Sequence, residues 1–579
     1  MTIMKRHVGA VLLMASLVAD GLLVAGCTNS DYDFKQIDAT MGFGGNELQI
    51  PTSSTMDIPL KDILELEENG CVVIDPLDSS YVFRRNGEAI APVHPYIDKI
   101  VITEQRAVSS DITLSLSTAA KGRRAASTTV LHGEGDIYTF NYIGDKPESV
   151  VQLTHAAVSS DIQMEVNLNA LSAMVTKLDK LVLTFPEYME ITCDKGTLKG
   201  NTLTLTDVST ASTLKLNVQI TGLDFTKGGS SLVAGNQIKM DGKVHMYAEA
   251  SNFTAGSVTS ATLHNSLTMS SVTVESATGR FNPSIKLNDL GKVSITGIPD
   301  FLSGSNVTVD LYNPVIKLDV NNDMPIGGSI TGTLKGYKGS GLSSVVEVSD
   351  IAIGAEQTTR AYICRRGEGM PTGDGIVVKE VENLSNIIEP IPEEIAFEAS
   401  AQADSETPGT FVLGHTYTVA PAYSIEAPIA FDEDAVIEYD KSWDGWNKDI
   451  KDIELSDGAY VNITATALNR IPATLSVEAT PIDTEGSNMS SLIEVDIRQG
   501  MVAASADGKT ATSSPLEIVL REKTKGALKK LDGLEYKVIG EATHDGTSVT
   551  GITLNARDHT LKLNDIKIKI VGRVIGDFN

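Results

Sequence analysis

Three groups of residues in this chain have types and spacings that could do chemistry. Near the start, Val24-Ala25-Gly26-Cys27 is a small-residue step ending in cysteine, preceded by Lys5, Arg6 and an apolar run from Val8 to Ala19. A basic start, a short apolar core and a small-residue step predict a secretory signal, residues 1–26, whose removal leaves Cys27 at the new N-terminus. Far downstream, Trp443 and Trp446 are the only two tryptophans, three apart around Asp444-Gly445. Exposed, such a pair could stack on sugar rings. In a chain with 5% aromatic residues the favoured expectation is that they pack at the end of a module. The third group offers partial ligand motifs. Asp319-Val320-Asn321-Asn322-Asp323 opens like a calcium loop, but Met324 stands where glycine is needed and Ile330 where the bidentate glutamate should be. Gly508-Lys509-Thr510 lacks the first P-loop glycine, its place being taken by Ala503. The nine histidines are scattered, without helical pairing. No cofactor, no metal site and no catalytic residue is therefore assigned, and the chain reads as a non-enzyme.

The segment ending at Cys27 resembles the lipobox of bacterial lipoproteins. The resemblance implies a diacylglycerol on the Cys27 sulfur, a further acyl chain (palmitate-type) on its amine, and a membrane partner held through that anchor. A spanning helix is the competing reading. It needs about 20 apolar residues, and Asp20 and Gly21 cut the run to about 12. The acidic stretch Thr28-Asn29-Ser30-Asp31-Tyr32-Asp33 resembles the export tag of Bacteroidetes-type lipoproteins, which implies an outer-membrane protein facing the exterior. The chain as a whole is similar to outer-membrane lipoproteins of that group.

Composition narrows the partners. The net charge is −28 over 579 residues, a surface that repels phosphate backbones, so no nucleic-acid partner is expected. With Cys27 assigned to lipid, Cys71, Cys193 and Cys364 are an odd set without metal-ligand spacing, and are expected as buried thiols. The length calls for about three to five domains.

The elements that must position these residues are strands. From about Tyr96 the pattern is period two and rich in Val, Ile and Thr, as in Ile112, Leu114, Leu116 and in Ile162, Met164, Val166, Leu168. Short helices are expected at Asp57–Leu66, at 168–178, at one turn within 382–388 and around 527–531. Ala107-Val108-Ser109-Ser110-Asp111-Ile112 recurs letter for letter at 157–162, and its Ser-Ser-Asp is expected to turn into the next strand. Lys286-Leu287-Asn288-Asp289-Leu290 is echoed by Lys562-Leu563-Asn564-Asp565-Ile566, each followed by a glycine and an Asp-Phe. This predicts two diverged repeat units, ending near Phe301 and Phe578. Asn322-Asp323-Met324-Pro325 and Asn469-Arg470-Ile471-Pro472 each end one strand before another, which resembles the β-sandwich of late-embryogenesis-abundant type 2 domains over about 30 residues.

The expected fold is mainly β: several antiparallel sandwich-like modules with a few short helices. The expected division is a tether and β module at 27–147, a β unit at 148–301, a β module and linker at 302–400, and a C-terminal β unit at 401–579. The expected function is a lipid-anchored surface lipoprotein with a structural, adhesive or binding role and an envelope protein or glycan as possible partner. The alternatives are a carbohydrate-binding component of an uptake system, or a carrier of lipid or another hydrophobic ligand.

Overall fold

The structure is a computed structural model that describes residues 41–43, 47–51, 54–102, 105–119, 128–228, 233–234, 237–251, 259–287, 291–304, 306–451 and 453–576. Among the described residues the fold is mainly β, its sheets antiparallel except where Gln357–Cys364 pairs in parallel with Ile376–Glu380, and helix is confined to short turns. Period-two burial explains it: Ile162, Met164 and Val166 are all buried along one face of the strand Val150–Asn167, and the alternate residues face outward.

An N-terminal lobe holds the largest sheet. Its strands run in the order Met189–Cys193, Leu214–Asp224, Val150–Asn167, Ser260–Met269, Gln105–Ala119, Thr128–Asp145, Gln237–Ala250, Lys177–Thr184, Thr202–Ser209 and Thr197–Lys199. Val272–Phe281 lies beside Val150–Asn167 and is paired in turn by Gly409–Val412 from far downstream.

Two sandwiches follow, and they share one topology. In the central sandwich, Val315–Asn322 passes to Gly328–Lys338 and Gly341–Ile353 in the facing sheet. The chain returns as Gln357–Cys364, makes a 3-10 turn at Leu384–Ile388, crosses again as Glu394–Ala403, and closes as Val419–Pro428 beside the first strand. In the C-terminal sandwich the same path is Tyr460–Asn469, Thr474–Asp483, Thr512–Glu522, a 3-10 turn at Ala527–Lys530, Leu531–Glu541 and Thr560–Val571. Earlier segments extend both. Tyr81–Asn86 and Lys292–Ser294 flank the central closing strands, and Glu47–Pro51 and Val436–Trp443 occupy the corresponding places in the other.

The two Asn-x-x-Pro echoes are the same buried corner. Asn322 is 2% exposed and Asn469 is 0% exposed. Asn322 Oδ1 accepts from Met324 N at 3.1 Å, while its Nδ2 donates to Ile326 O at 2.9 Å and Gly354 O at 2.8 Å. Asn469 Oδ1 accepts from Ile471 N at 2.8 Å, and its Nδ2 donates to Ala473 O at 3.2 Å and Ala503 O at 3.0 Å. An amide serves here because one side chain must both accept and donate to hold a chain changing sheets.

One difference separates the twins. In the central sandwich the 13-residue strand Gly341–Ile353 runs along Gly328–Lys338. In the C-terminal sandwich the corresponding chain leaves for the opposite sheet as Ile493–Gln499, paired to Thr512–Glu522. On its outer side Thr474–Asp483 is then met by Met501–Val502 through two rungs and by the Ile482–Asn488 bridge, where Met489 N donates to Pro481 O at 2.7 Å.

Several expectations are corrected. Asp57–Leu66 is not a helix but a short strand, Ile58–Pro59, and one 3-10 turn, Leu60–Asp62. Its backbone donors are taken by the C-terminal chain, Leu60 N by His559 O at 2.8 Å and Lys61 N by Ala556 O at 3.0 Å. Residues 168–178 hold only a 3-10 turn, Asn169–Leu171, before strand Lys177–Thr184, which is claimed by ladders on both sides. Both copies of Ala-Val-Ser-Ser-Asp-Ile lie inside long strands rather than at turns, and those strands flank Ser260–Met269. Lys286–Phe301 and Lys562–Val571 form different elements: a three-residue strand with a 3-10 turn in one, a 12-residue strand in the other. Asp577 and Phe578 lie outside the described residues. The 147/148 division falls between adjoining strands of one lobe, and the 400/401 division falls inside Glu394–Ala403.

The sandwiches meet at residues 429–436. Arg365 Nη1 lies 2.9 Å from both Asp310 Oδ1 and Asp432 Oδ2, and Arg366 Nη2 is 2.7 Å from Asp432 Oδ2. Both carboxylates are buried, and the Arg366 guanidinium lies 3.9 Å over the Tyr312 ring. Removing either arginine would leave a buried carboxylate short of a partner, which costs more than the intact network contributes.

Candidate binding site

Cys27 lies outside the described residues. Trp443 ends the strand Val436–Trp443 opposite Leu534, and its side chain also lies outside what is described. Trp446 is placed by the turn between them. Gly445 adopts φ +92°, a left-handed conformation that glycine takes without strain. The Asp532 carboxylate gathers that turn, accepting from Gly445 N at 3.0 Å and Asn447 N at 2.9 Å, while Asp532 O accepts from Trp446 N at 2.8 Å. Asn447 Nδ2 closes the joint by donating to Lys529 O at 2.7 Å. The indole of Trp446 is thereby turned inward and is 8% exposed. A ring so buried has no free face for stacking a sugar.

What Trp446 faces is a space between the two sheets of the C-terminal sandwich. This first space, about 100 Å³, is walled by Val461, Ile463, Leu516, Ile518 and Leu534, with Gln499 and Gly500 also lining it. A second, about 120 Å³, is walled by Ile437, Leu475, Val538 and Leu561, and by Ile58, Leu60 and Ile63 from the N-terminal segment. Val477 and Tyr536 line both, so the two spaces abut on the same pair of side chains. Burial pushes the Tyr536 phenol well above its ordinary range, so it stays neutral. At about 24 cal/mol per Å³, leaving spaces of about 100 and about 120 Å³ empty costs roughly 2–3 kcal/mol each. The twin avoids such a cost. At the rung where the C-terminal sandwich has Leu534 opposite Pro481, the central one has Phe397 opposite Leu334. A space between its sheets, lined by Val320, Ile330 and Ile353, measures only about 20 Å³.

The other sequence candidates serve local structure. Asp319 pairs with Arg360 at 2.8 Å, and Asp323 accepts from Thr418 N at 2.6 Å. Among the described residues no cluster of three or more His, Cys, Asp or Glu side chains could hold a metal. Gly508-Lys509-Thr510 wraps around Asp507, which accepts from Lys509 N at 2.8 Å and Thr510 N at 2.6 Å; these bonds hold its carboxyl far below the usual range. Cys71 and Cys364 are buried free thiols, and Cys193 is free and half-buried. Sequence reasoning missed the lining of the two spaces, which comes from segments between Ile58 and Leu561. The one available signal was Trp446 beside an alternating strand pattern.

No family model matches the chain, and no curated protein matches it. Among solved structures it is similar to a "putative secreted protein" of Parabacteroides distasonis ATCC 8503, at 15% identity and a TM-score of 0.36, over 51% of this chain and 88% of that one. A likeness of that size leaves the function to be read from the chain itself.

Proposed function

We propose that this chain is a lipid-anchored protein of the cell envelope, held at Cys27 in the outer membrane with its body outside, and that its role is binding rather than catalysis. The observation that supports this reading is where the chain goes after the anchor. Met41–Phe43 pairs with Val574–Gly576, and Glu47–Pro51 pairs along Thr560–Val571. The tether is thus stitched into the closing strands of the C-terminal sandwich. Fully extended, the chain from Cys27 to Met41 reaches about 50 Å at most, so the C-terminal sandwich would be the part held nearest the membrane. Pairing along a strand also loads many backbone hydrogen bonds together when the tether is pulled.

The test is Cys27→Ala in the producing cell. The variant should leave the membrane fraction or accumulate as an unprocessed precursor, while wild-type protein carries acyl chains on Cys27. Mass spectrometry finding an unmodified mature N-terminus on the wild-type protein refutes the reading.

A further inference from the structure

We infer that the outer edge of strand Gly341–Ile353 in the central sandwich is a docking surface for a second copy of this chain, the two strands pairing antiparallel about a two-fold axis at Val346. The inference does not rest on the anchor at Cys27. Three observations carry it. First, the edge is long and open. Gly341–Ile353 is the outermost strand of its sheet and has 13 residues, while the other outer strands of the two sandwiches have from two to eight. On one side it pairs with Gly328–Lys338. On the other, among the described residues, no strand, bridge or backbone hydrogen bond meets it. Val346 and Val348 are buried, so their N–H and C=O groups turn toward Leu334 and Gly332 on the neighbouring strand. Such groups alternate along an antiparallel strand, which leaves those of Val345 and Glu347 aimed outward.

Second, the edge is unprotected. Outer strands usually carry lysine, proline or another charge that discourages pairing. From Gly341 to Val346 there is neither a charge nor a proline, and Leu342 and Val345 are 55% and 46% exposed. Ile376–Glu380, the outer strand of the facing sheet on the same side, adds the exposed Val378. The twin differs, because Thr474–Asp483 is met on its outer side by Met501–Val502 and by the Ile482–Asn488 bridge.

Third, the strand is complementary to itself. Its ladder is regular over 344–348, between the register shift beside Ser343 and the bulge where Asp350 adopts φ +52°. An axis at Val346, the centre of that run, sets Val345 opposite the second copy's Glu347 and Ser344 opposite its Val348. Each Val345–Glu347 pair then exchanges both of its N–H···O bonds. Lys335 stands opposite Val345 on the neighbouring strand, so each Glu347 comes toward a lysine and neither meets another carboxylate. At a net charge of −28 a second copy is repelled over most of the surface; this run, with its one carboxylate set toward a lysine, is where it can approach.

The experiment uses the full mature chain with Cys27→Ala, so that failure of association and failure of anchoring are separate results. Pairing along one edge lies at the weak end of specific interfaces, so sedimentation velocity is run from about 1 to about 500 µM. A reversible monomer–dimer equilibrium is expected. Val345→Pro removes an outward N–H and leaves the ladder to Gly328–Lys338 in place; it should weaken association about tenfold or more with the thermal midpoint held. Glu347→Lys, which brings like charges together across the axis, should weaken it as well. Cross-linking reads the register. Val345→Cys together with Glu347→Cys should give a disulfide-linked dimer on oxidation, because the Cα atoms of such a pair lie about 5.5 Å apart. Either substitution alone should cross-link no more than the chain without them. A chain that stays monomeric over the whole range, association unchanged in either folded variant, or single-cysteine cross-linking as fast as the double overturns the inference. Should Val345→Pro fail to fold, Glu347→Lys and the cysteine pair decide it.

Discussion

Replacing Asn469 with alanine should loosen the C-terminal sandwich and leave the central one intact. The side chain holds three backbone groups, two of them on buried residues, Ile471 N at 2.8 Å and Ala473 O at 3.2 Å, and the third on exposed Ala503, whose O is at 3.0 Å. Each buried group left without a partner costs about 1–3 kcal/mol, so even with some water entering, the loss should reach about 3 kcal/mol. That corresponds to roughly a 100-fold rise in the opening equilibrium. A chain with several sheets need not unfold in one step, so the assay is hydrogen exchange read peptide by peptide. Asn469→Ala should raise exchange in Tyr460–Asn469 and Thr474–Asp483, with Val315–Asn322 and Gly328–Lys338 unchanged. Asn322→Ala, at the matching corner, should do the reverse. A change below about threefold in the mutated sandwich would show that the corner does not hold the sheets together, and the reasoning would fail.

Two further outcomes follow from the same module. Trp446→Ala should destabilise by about 3 kcal/mol, the low end for deleting a large aromatic, because the ring already borders empty space; its retention on polysaccharide should not change, and a loss under about 1 kcal/mol in urea unfolding refutes its packing role. His559 is buried, its Nδ1 accepts from Asn555 N at 3.1 Å, and burial pushes its pKa down to about 4. The unfolded chain takes up a proton near pH 6.5 while the folded chain does not, so stability is lost as pH falls from about 6.5 toward 4. Between pH 7.5 and 5, wild-type protein should lose about 2 kcal/mol more than His559→Gln; equal losses refute it.

Much of the strand content was legible because alternation is a property of one strand and its two faces. Ile112, Leu114, Ile162 and Met164 are buried as their spacing requires, and the single turn within 382–388 forms as Leu384–Ile388. The Asn-x-x-Pro corners were legible too, since Asn322 and Asn469 each bond a backbone N–H two residues on and a carbonyl four residues on. The partner of each strand was not, because pairing is decided by groups that sequence distance hides. Asp57–Leu66 has helix-compatible spacing, yet Leu60 bonds to His559, and that competition cannot be seen within ten residues. The same limit applies to Ala107–Ile112 and 157–162, identical in letters and drawn into long strands by Ser260–Met269 between them. The apolar interior is the extreme case. The walls of its two spaces join Ile58, Trp446, Val477, Leu516 and Tyr536 from segments far apart in the chain. Sequence determined which residues seek burial; only the tertiary structure decided where that burial is incomplete.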